Sequence, residues 1–224
     1  MFYFHWSYLV LIPGILLMVW AQAQIRNTYQ RYAEIPSSLG MTGEEVARAI
    51  LAKKGIYDVR VEPVGGELTD HYDPSAKSVR LSSGIFGSSS LAAAAVAAHE
   101  CGHVIQDKQG YQFMNVRAAL VPVANIGANF GPLLVVAGIF FNFAGLINVG
   151  IALFAAVIAF HVITLPVEFD ASSRALKIVD ELGILQGDEN RGARAVLQAA
   201  AWTYVATALY AVLQLVQLLL MRRD

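Results

Sequence analysis

Long uninterrupted runs of apolar residues dominate the chain and predict membrane-spanning helices. Four runs reach the length of about 20 residues that a helix needs to cross the hydrocarbon core of a bilayer. The first runs from Trp6 to Ala23, the second and third together fill residues 118–165, and the fourth runs from Ala199 to Met221. Residues 118–165 contain no Lys, Arg, Asp or Glu. They therefore predict a hairpin of two helices, with an uncharged turn around Phe143-Ala144-Gly145.

The segment between the first and second spans alternates between polar and apolar positions and predicts a small α+β domain. Thr42-Gly43-Glu44-Glu45 has the spacing of a capping box and predicts a helix that ends at Gly55. Residues 57–64 and Ser78-Val79-Arg80-Leu81 have the alternation of short strands. Ser88-Ser89-Ser90 supplies N-caps for an alanine-rich helix that begins at Leu91.

Two finer expectations concern the strands of this domain. The strand near Ser78–Ser82 precedes the alanine-rich helix and is expected to present a free edge, to which an extended peptide could add. Asp73-Pro74 and Ser75 predict a turn, and turn chemistry is the expected role of His71-Tyr72-Asp73 immediately before it.

Beyond the hairpin the pattern becomes amphipathic again. Pro166 is expected to end the third span, and a separate helix is expected from Ala171 to Leu182, before Gly183. A further helix starts near Asp188 and runs into the fourth span. The predicted segments are an anchor helix at 1–23, a polar domain at 24–117, a transmembrane hairpin at 118–165, a connecting helical region at 166–198 and a C-terminal transmembrane helix at 199–224.

Composition supports a membrane protein. The chain is 56% hydrophobic and only 15% charged, whereas soluble domains average about 25% charged residues. The formal net charge of −1 gives no reason to expect nucleic acid as a partner. Cys101 is the only cysteine, so no intrachain disulfide can form.

The distribution of basic residues predicts the orientation in the membrane. The basic residues near span ends on the polar-domain side are Arg26, Arg31, Lys108, Arg117, Arg174, Lys177, Arg191 and Arg194, against Arg222 and Arg223 on the opposite side. The positive-inside rule therefore places the polar domain in the cytoplasm. The alternative is a signal peptide cleaved after Ala21-Gln22-Ala23, which would place the domain outside. Since no Lys or Arg precedes the first apolar run, an uncleaved anchor is favoured.

The candidate chemistry lies in the pentad His99-Glu100-Cys101-Gly102-His103. Histidines four residues apart lie on one face of a helix and can hold a single Zn²⁺. The glutamate after the first histidine can activate the metal-bound water, as in H-E-x-x-H metalloproteases. The alternative is a surface helix with two solvated histidines. Cys101 points to another side of the helix and is expected to be a small helix residue, not a ligand.

A catalytic zinc site needs a third protein ligand. The two-helix hairpin returns the chain to the face of the membrane that it left, so Glu168 could meet the pentad there and complete a His₂Glu site. Asp170 is the competing ligand, although on a helix only one of the two carboxylates should reach the metal. Both could instead complement the dipole in the first turn of a helix. His71, Tyr72 and His161 are candidate donors to a developing oxyanion, with none favoured.

Three stretches carry a resemblance to the YugP-type neutral zinc metallopeptidases, a family of small bacterial membrane proteins. They are Leu68–Pro74, Val96–Gln106 and Leu165–Ser172, and the likeness covers nearly the whole chain. More remotely, the chain is similar to HtpX-type membrane peptidases, which also place a transmembrane hairpin between the pentad and a glutamate ligand. Their pattern has an aspartate four residues after that glutamate, where this chain has Ser172. The group that orients a zinc histidine is thus open between Ser172, Asp170 and another residue.

The resemblance implies a mainly α, integral membrane fold, with about four transmembrane helices and a small α+β zincin-like (gluzincin-type) domain at the membrane surface. It implies one Zn²⁺ per chain, held by His99, His103 and Glu168, with Glu100 as the catalytic base. The expected protein is a multi-pass peptidase of the bacterial cell membrane that acts on peptides or membrane proteins. A homo-oligomer or a regulatory membrane partner stays open. One alternative is a non-proteolytic, zinc-stabilised membrane scaffold. The other is a small transporter component, and the scarcity of charged residues in the spans disfavours this second alternative.

Overall fold

The computed structural model describes residues 6–221, and within this range the chain is mainly helical. Residues 1–5 and 222–224 lie outside the described residues. They include Arg222 and Arg223, which were counted in predicting the orientation in the membrane. The elements are a 3₁₀ helix at Trp6–Leu11, α1 (Ile12–Ala33), α2 (Gly43–Lys53), β1 (Arg60–Val64), β2 (His71–Asp73), β3 (Ser78–Ser82), α3 (Ser83–Phe86), α4 (Leu91–Lys108), α5 (Gln112–Phe140), α6 (Ala144–Glu181) and α7 (Gly187–Met221).

Four of these segments are long and apolar enough to cross a membrane, as predicted. They are Trp6–Ala33, Gln112–Phe140, Ala144–Glu181 and Gly187–Met221. At 1.5 Å per residue, the 38 residues of α6 extend for about 57 Å, nearly twice the thickness of the hydrocarbon core. The predicted fold class is confirmed: an integral membrane, mainly α chain with a small α+β region.

The chain divides into two compact units. The first comprises, within the described range, residues 6–22, 112–166 and 202–221. Its core contains Val135, Phe154, Val157 and Leu218. Helices α5 and α6 approach closely where glycines face each other, since a Cβ on Gly150 would lie 2.6 Å from the carbonyl oxygen of Gly131. Close backbone approach at small residues is a common way of packing transmembrane helices.

The second unit comprises residues 23–111 and 167–201 and contains the sheet. Strand order is β1-β3-β2, with β1 parallel and β2 antiparallel to β3. Helix α2 begins with the predicted capping box, in which the side chains of Thr42 and Glu45 each accept a hydrogen bond from the backbone N–H of the other residue. Val79 and Leu81 of β3 and Ile50 of α2 are fully buried in the core of this unit.

The expectation of a free edge on β3 is wrong. β1 and β2 pair with the two sides of this strand. His71–Asp73 forms β2, and the predicted turn follows it. The turn signal itself is real, since the Asp73 carboxylate accepts hydrogen bonds from the backbone N–H groups of Ser75 and Ala76. That turn follows the strand directly, and three residues are too few to show an alternating pattern.

The expected helix break at Pro166 and the separate helix from Ala171 to Leu182 are not observed. Helix α6 continues through Pro166 to Glu181 without a break. A proline inside a helix costs about 3 kcal/mol. The next turn compensates for this cost because Val167 and Ala171 are fully buried. Glu168 and Asp170 consequently lie in the middle of a helix, which excludes the alternative that they complement the dipole of a first turn.

The contact between α4 and α6 generates the first prediction. A Cβ on Gly102 would lie 2.5 Å from the carbonyl oxygen of Ala171, so Gly102→Ala must push the two helices apart. We expect a loss of about 1–3 kcal/mol in the free energy of unfolding, measured by thermal unfolding in detergent. Gly87→Ala is the control, because Gly87 has a φ of −98° and a Cβ added there would meet no heavy atom within 4 Å. Equal melting temperatures for the two variants would contradict the prediction.

Candidate metal centre

Helix α4 carries the pentad and begins at the predicted cap. The Ser90 hydroxyl accepts a hydrogen bond of 3.1 Å from the backbone N–H of Ala93. The alanines that follow are buried, which fixes one face of the helix inside the second unit. His99 and His103 lie one turn apart on another face, with their ring centroids 4.7 Å apart and the rings nearly perpendicular.

The third side chain of the cluster is Glu168, which comes from α6. Its carboxylate oxygen Oε2 lies 3.2 Å from Nε2 of His99 and 3.5 Å from Nε2 of His103. Glu168 is only 3% exposed. One potential ligand atom from each of the three residues lies within 4.8 Å of the other two. The structure thus brings together the three residues that the sequence predicts as ligands.

The contacts of His103 favour a positive charge in this cluster. Nδ1 of His103 lies 3.0 Å from Oε1 of Gln106, and its Nε2 faces the Glu168 carboxylate. A neutral imidazole carries one N–H and can donate to only one of these acceptors. Burial lowers the pKa of His103, but its contact with Glu168 and the charge of Glu100 raise that pKa by more. A bound proton or a metal cation satisfies the second acceptor.

The type of the ligand atoms and two of their three spacings fit zinc. At bond lengths of about 2.0–2.1 Å, tetrahedral geometry separates neighbouring ligand atoms by about 3.3 Å. The distances of 3.2 and 3.5 Å from Glu168 to the two histidines are close to that value. Two imidazoles and one carboxylate favour zinc over calcium or magnesium, which prefer oxygen ligands. These three residues could therefore hold a zinc ion with one position left for another ligand.

The other acidic residues of the motifs occupy different surroundings. Glu100 is buried on α4, next to His99, and its negative charge contributes to the raised pKa of His103. Asp170, the competing ligand, accepts hydrogen bonds from Nε2 of Gln106 and Nε of Arg174 and does not belong to the cluster. Cys101 points to α2, where its thiol donates to the carbonyl oxygen of Ala47.

The three candidate oxyanion donors make other contacts. Nδ1 of His71 lies 2.7 Å from the carbonyl oxygen of Thr69. The Tyr72 hydroxyl donates to Asp107 at 2.8 Å, and burial together with this hydrogen bond raises the pKa of Tyr72. His161 belongs to the first unit, where its ring packs edge-to-face against Phe160. These contacts give no reason to choose any of the three as the donor.

The outer nitrogen of each imidazole, Nδ1, faces away from Glu168. Ser172 contacts this nitrogen in His99, and Gln106 contacts it in His103. Oγ of Ser172 lies 3.1 Å from Nδ1 of His99, so Ser172 is one orienting group among the alternatives that the sequence leaves open. Sequence reasoning missed Gln106. The available signal was its position three residues after His103, which places an amide on the same face of the helix.

Comparisons with known proteins identify the family of the chain. A family profile described as "Putative neutral zinc metallopeptidase" matches residues 7–223. A protein of Bacillus subtilis (strain 168) named "Putative membrane protease YugP" is 43% identical over 206 residues, which is 92% of each chain. No solved structure matches the chain. The resemblance predicted from the three motifs is confirmed, and the chain belongs to this family of neutral zinc metallopeptidases.

Proposed function

We propose that this chain is a membrane-bound zinc peptidase that hydrolyses peptide bonds in membrane or membrane-associated proteins. The observation that carries the proposal is the convergence of Nε2 of His99, Nε2 of His103 and Oε2 of Glu168. Glu168 is 69 residues from His99 in sequence, so local sequence cannot account for this meeting. Membership of a zinc metallopeptidase family supports the same chemistry.

In this proposal the three residues hold one Zn²⁺ per chain, and Glu168 supplies the negative charge. When bound, zinc would polarise the scissile carbonyl and lower the pKa of an attacking water towards about 7. Buried Glu168 keeps its oxygen towards both histidines. Ser172 and Gln106 hold the two rings from their outer nitrogens. The protein therefore contributes an oriented set of ligand atoms before any substrate arrives.

Glu100 is the proposed general base. Its carboxylate removes a proton from the attacking water as the new C–O bond forms. The same proton then passes from Glu100 to the nitrogen of the leaving amine as the C–N bond breaks, so the residue returns to its starting state. The negative charge of Glu100 acts on His103, and this proximity to a proposed ligand supports the role.

The position of Glu168 along α6 supports a substrate close to the membrane. The same continuous helix contains the apolar residues of a candidate span and, two residues after Pro166, the proposed ligand. We therefore expect the metal centre near the bilayer surface, with the predicted anchor, hairpin and C-terminal helix crossing the bilayer. The excess of basic residues flanking the spans supports a cytoplasmic position for the second unit.

Zinc content tests the ligand set. We expect about one zinc per wild-type chain after purification in detergent, and weakened zinc binding in His103→Ala and Glu168→Ala, since each variant removes one of three ligands. The loss should exceed the roughly 10–100-fold effect of removing a hydrogen-bond partner of a ligand. Glu181→Ala is the matched control, because Glu181 lies on the same helix and forms an exposed ion pair with Lys177. A variant that retains full zinc affinity after losing Glu168 would contradict the assignment.

Glu100→Gln separates metal binding from proton transfer. We expect this variant to keep its zinc and to lose a factor of about 10²–10⁴ in turnover, because the amide cannot accept the proton. The measurement is cleavage of a library of quenched fluorescent peptides, with zinc content determined on the same sample. Wild-type rates in the zinc-loaded variant would exclude Glu100 as the base.

The buried position of Cys101 allows a direct test of sidedness. Cys101 is the only cysteine and is fully buried, so the wild-type chain should not react with a membrane-impermeant maleimide. Ser75→Cys adds a thiol at an exposed position in the turn after β2. For a cytoplasmic second unit, we expect labelling in lysed cells and none in intact spheroplasts. Labelling of intact spheroplasts would place this unit outside.

A further inference from the structure

Gln106 is a fully buried amide that links α4 to α6 directly behind His103. It has 0% exposure and three polar partners. Its Oε1 lies 3.0 Å from Nδ1 of His103. Its Nε2 donates to the carbonyl oxygen of Val167 and to Oδ2 of Asp170, both at 2.8 Å. A buried amide with all of these contacts satisfied is held in a single orientation.

The partners on α6 determine which end of the amide faces His103. The carbonyl oxygen of Val167 can only accept a hydrogen bond, and the Asp170 carboxylate already accepts one from Arg174. Only the NH₂ group of Gln106 can satisfy both acceptors. Its carbonyl oxygen must then face Nδ1 of His103, which requires the proton to be on that nitrogen. In the neutral imidazole the lone pair is consequently on Nε2, the nitrogen that faces Glu168.

We propose that Gln106 is a positioning residue that fixes the tautomer of His103 for metal binding, and that Asp170 acts through it. Metal-bound histidines commonly donate their second N–H directly to a carboxylate or a carbonyl. In this chain an amide stands between the imidazole and the carboxylate. This assignment rests on the proposed zinc site, and it deepens that proposal by adding a residue that touches neither the metal nor the substrate.

The far end of this network is also held in place. The Arg174 side chain donates from Nε to Asp170 and from its NH1 group to Oε1 of Gln109. Its guanidinium carbon lies 5.7 Å from the centre of the Tyr111 ring. Because Arg174 fixes the Asp170 carboxylate, that carboxylate in turn fixes the amide of Gln106.

His99 lacks an equivalent constraint. Its outer nitrogen contacts the hydroxyl of Ser172, and a hydroxyl can donate or accept a hydrogen bond. Ser172 can therefore adapt to either tautomer of His99, whereas Gln106 accepts only one tautomer of His103. The two histidines are thus expected to respond differently when their partners are removed.

The test compares zinc binding in the full-length, detergent-purified chain and in Gln106→Met, which keeps the volume of the side chain but removes both hydrogen-bonding ends. We expect its zinc affinity, measured by competition with a chelator, to fall roughly 10–100-fold. We also expect the visible absorption bands of bound Co²⁺ to shift at saturating metal. Ser172→Ala should cause a smaller loss of affinity than Gln106→Met.

Two further variants separate positioning from stability. Gln106→Glu keeps an oxygen facing His103 but places a second carboxylate beside that of Asp170. We therefore expect a lower melting temperature with zinc affinity retained. Cys101→Ala removes another buried side chain of α4 that does not contact the site. It should lower the melting temperature without changing zinc affinity or the Co²⁺ spectrum.

The outcomes distinguish this inference from the proposed function. A wild-type chain that binds no zinc would overturn the proposed function itself. A wild-type chain that binds zinc, beside a Gln106→Met variant with equal affinity and an unchanged Co²⁺ spectrum, would overturn only the role of Gln106. Equal losses of zinc affinity in Gln106→Met and Gln106→Glu would also overturn it, because affinity would then follow stability and not the acceptor at Nδ1.

Discussion

The close approach of α4 to α6 is the contact on which the candidate site depends. Gly102 lies between the two histidines in sequence and faces the carbonyl oxygen of Ala171, with no room for a Cβ. Val167 and Ala171 are fully buried on the opposing helix. At this separation Glu168 reaches both imidazoles and Ser172 reaches His99. A wider spacing of the two helices would break all of these contacts together. Gly102, which has no functional group, therefore sets the geometry of the site.

Burying a carboxylate has a large cost unless a positive charge or hydrogen bonds compensate it. Glu168 is nearly fully buried, and its partners are two histidines. One of these histidines also faces Gln106, an acceptor at its other nitrogen. A neutral His103 can donate to only one of these two acceptors, so its surroundings favour a bound proton or a cation. The electrostatics of the folded chain are therefore compatible with the proposed zinc chemistry.

The sequence predicts those parts of the molecule that depend on local pattern. The apolar runs give the four candidate spans, Thr42 and Ser90 mark helix starts, and the spacing of His99 and His103 identifies the face of α4. Glu168 can be anticipated because a two-helix hairpin returns the chain to the same side of the membrane. Pro166 predicts a helix break that does not occur, because the free energy gained by burying the next turn of α6 exceeds the local cost of the proline. β2 is too short to show a pattern. The role of Gln106 cannot be predicted from local sequence, because its partners Val167 and Asp170 are about 60 residues away along the chain.

The proposed zinc centre of two histidines and one glutamate can be observed by X-ray absorption at the zinc K edge of the purified chain. We expect about four light-atom neighbours at about 2.0–2.1 Å, with outer-shell scattering from two imidazole rings and no sulfur neighbour. A sulfur neighbour at about 2.3 Å, or scattering from a single imidazole ring, would contradict this ligand set, because Cys101 is turned towards α2 and both histidines face Glu168.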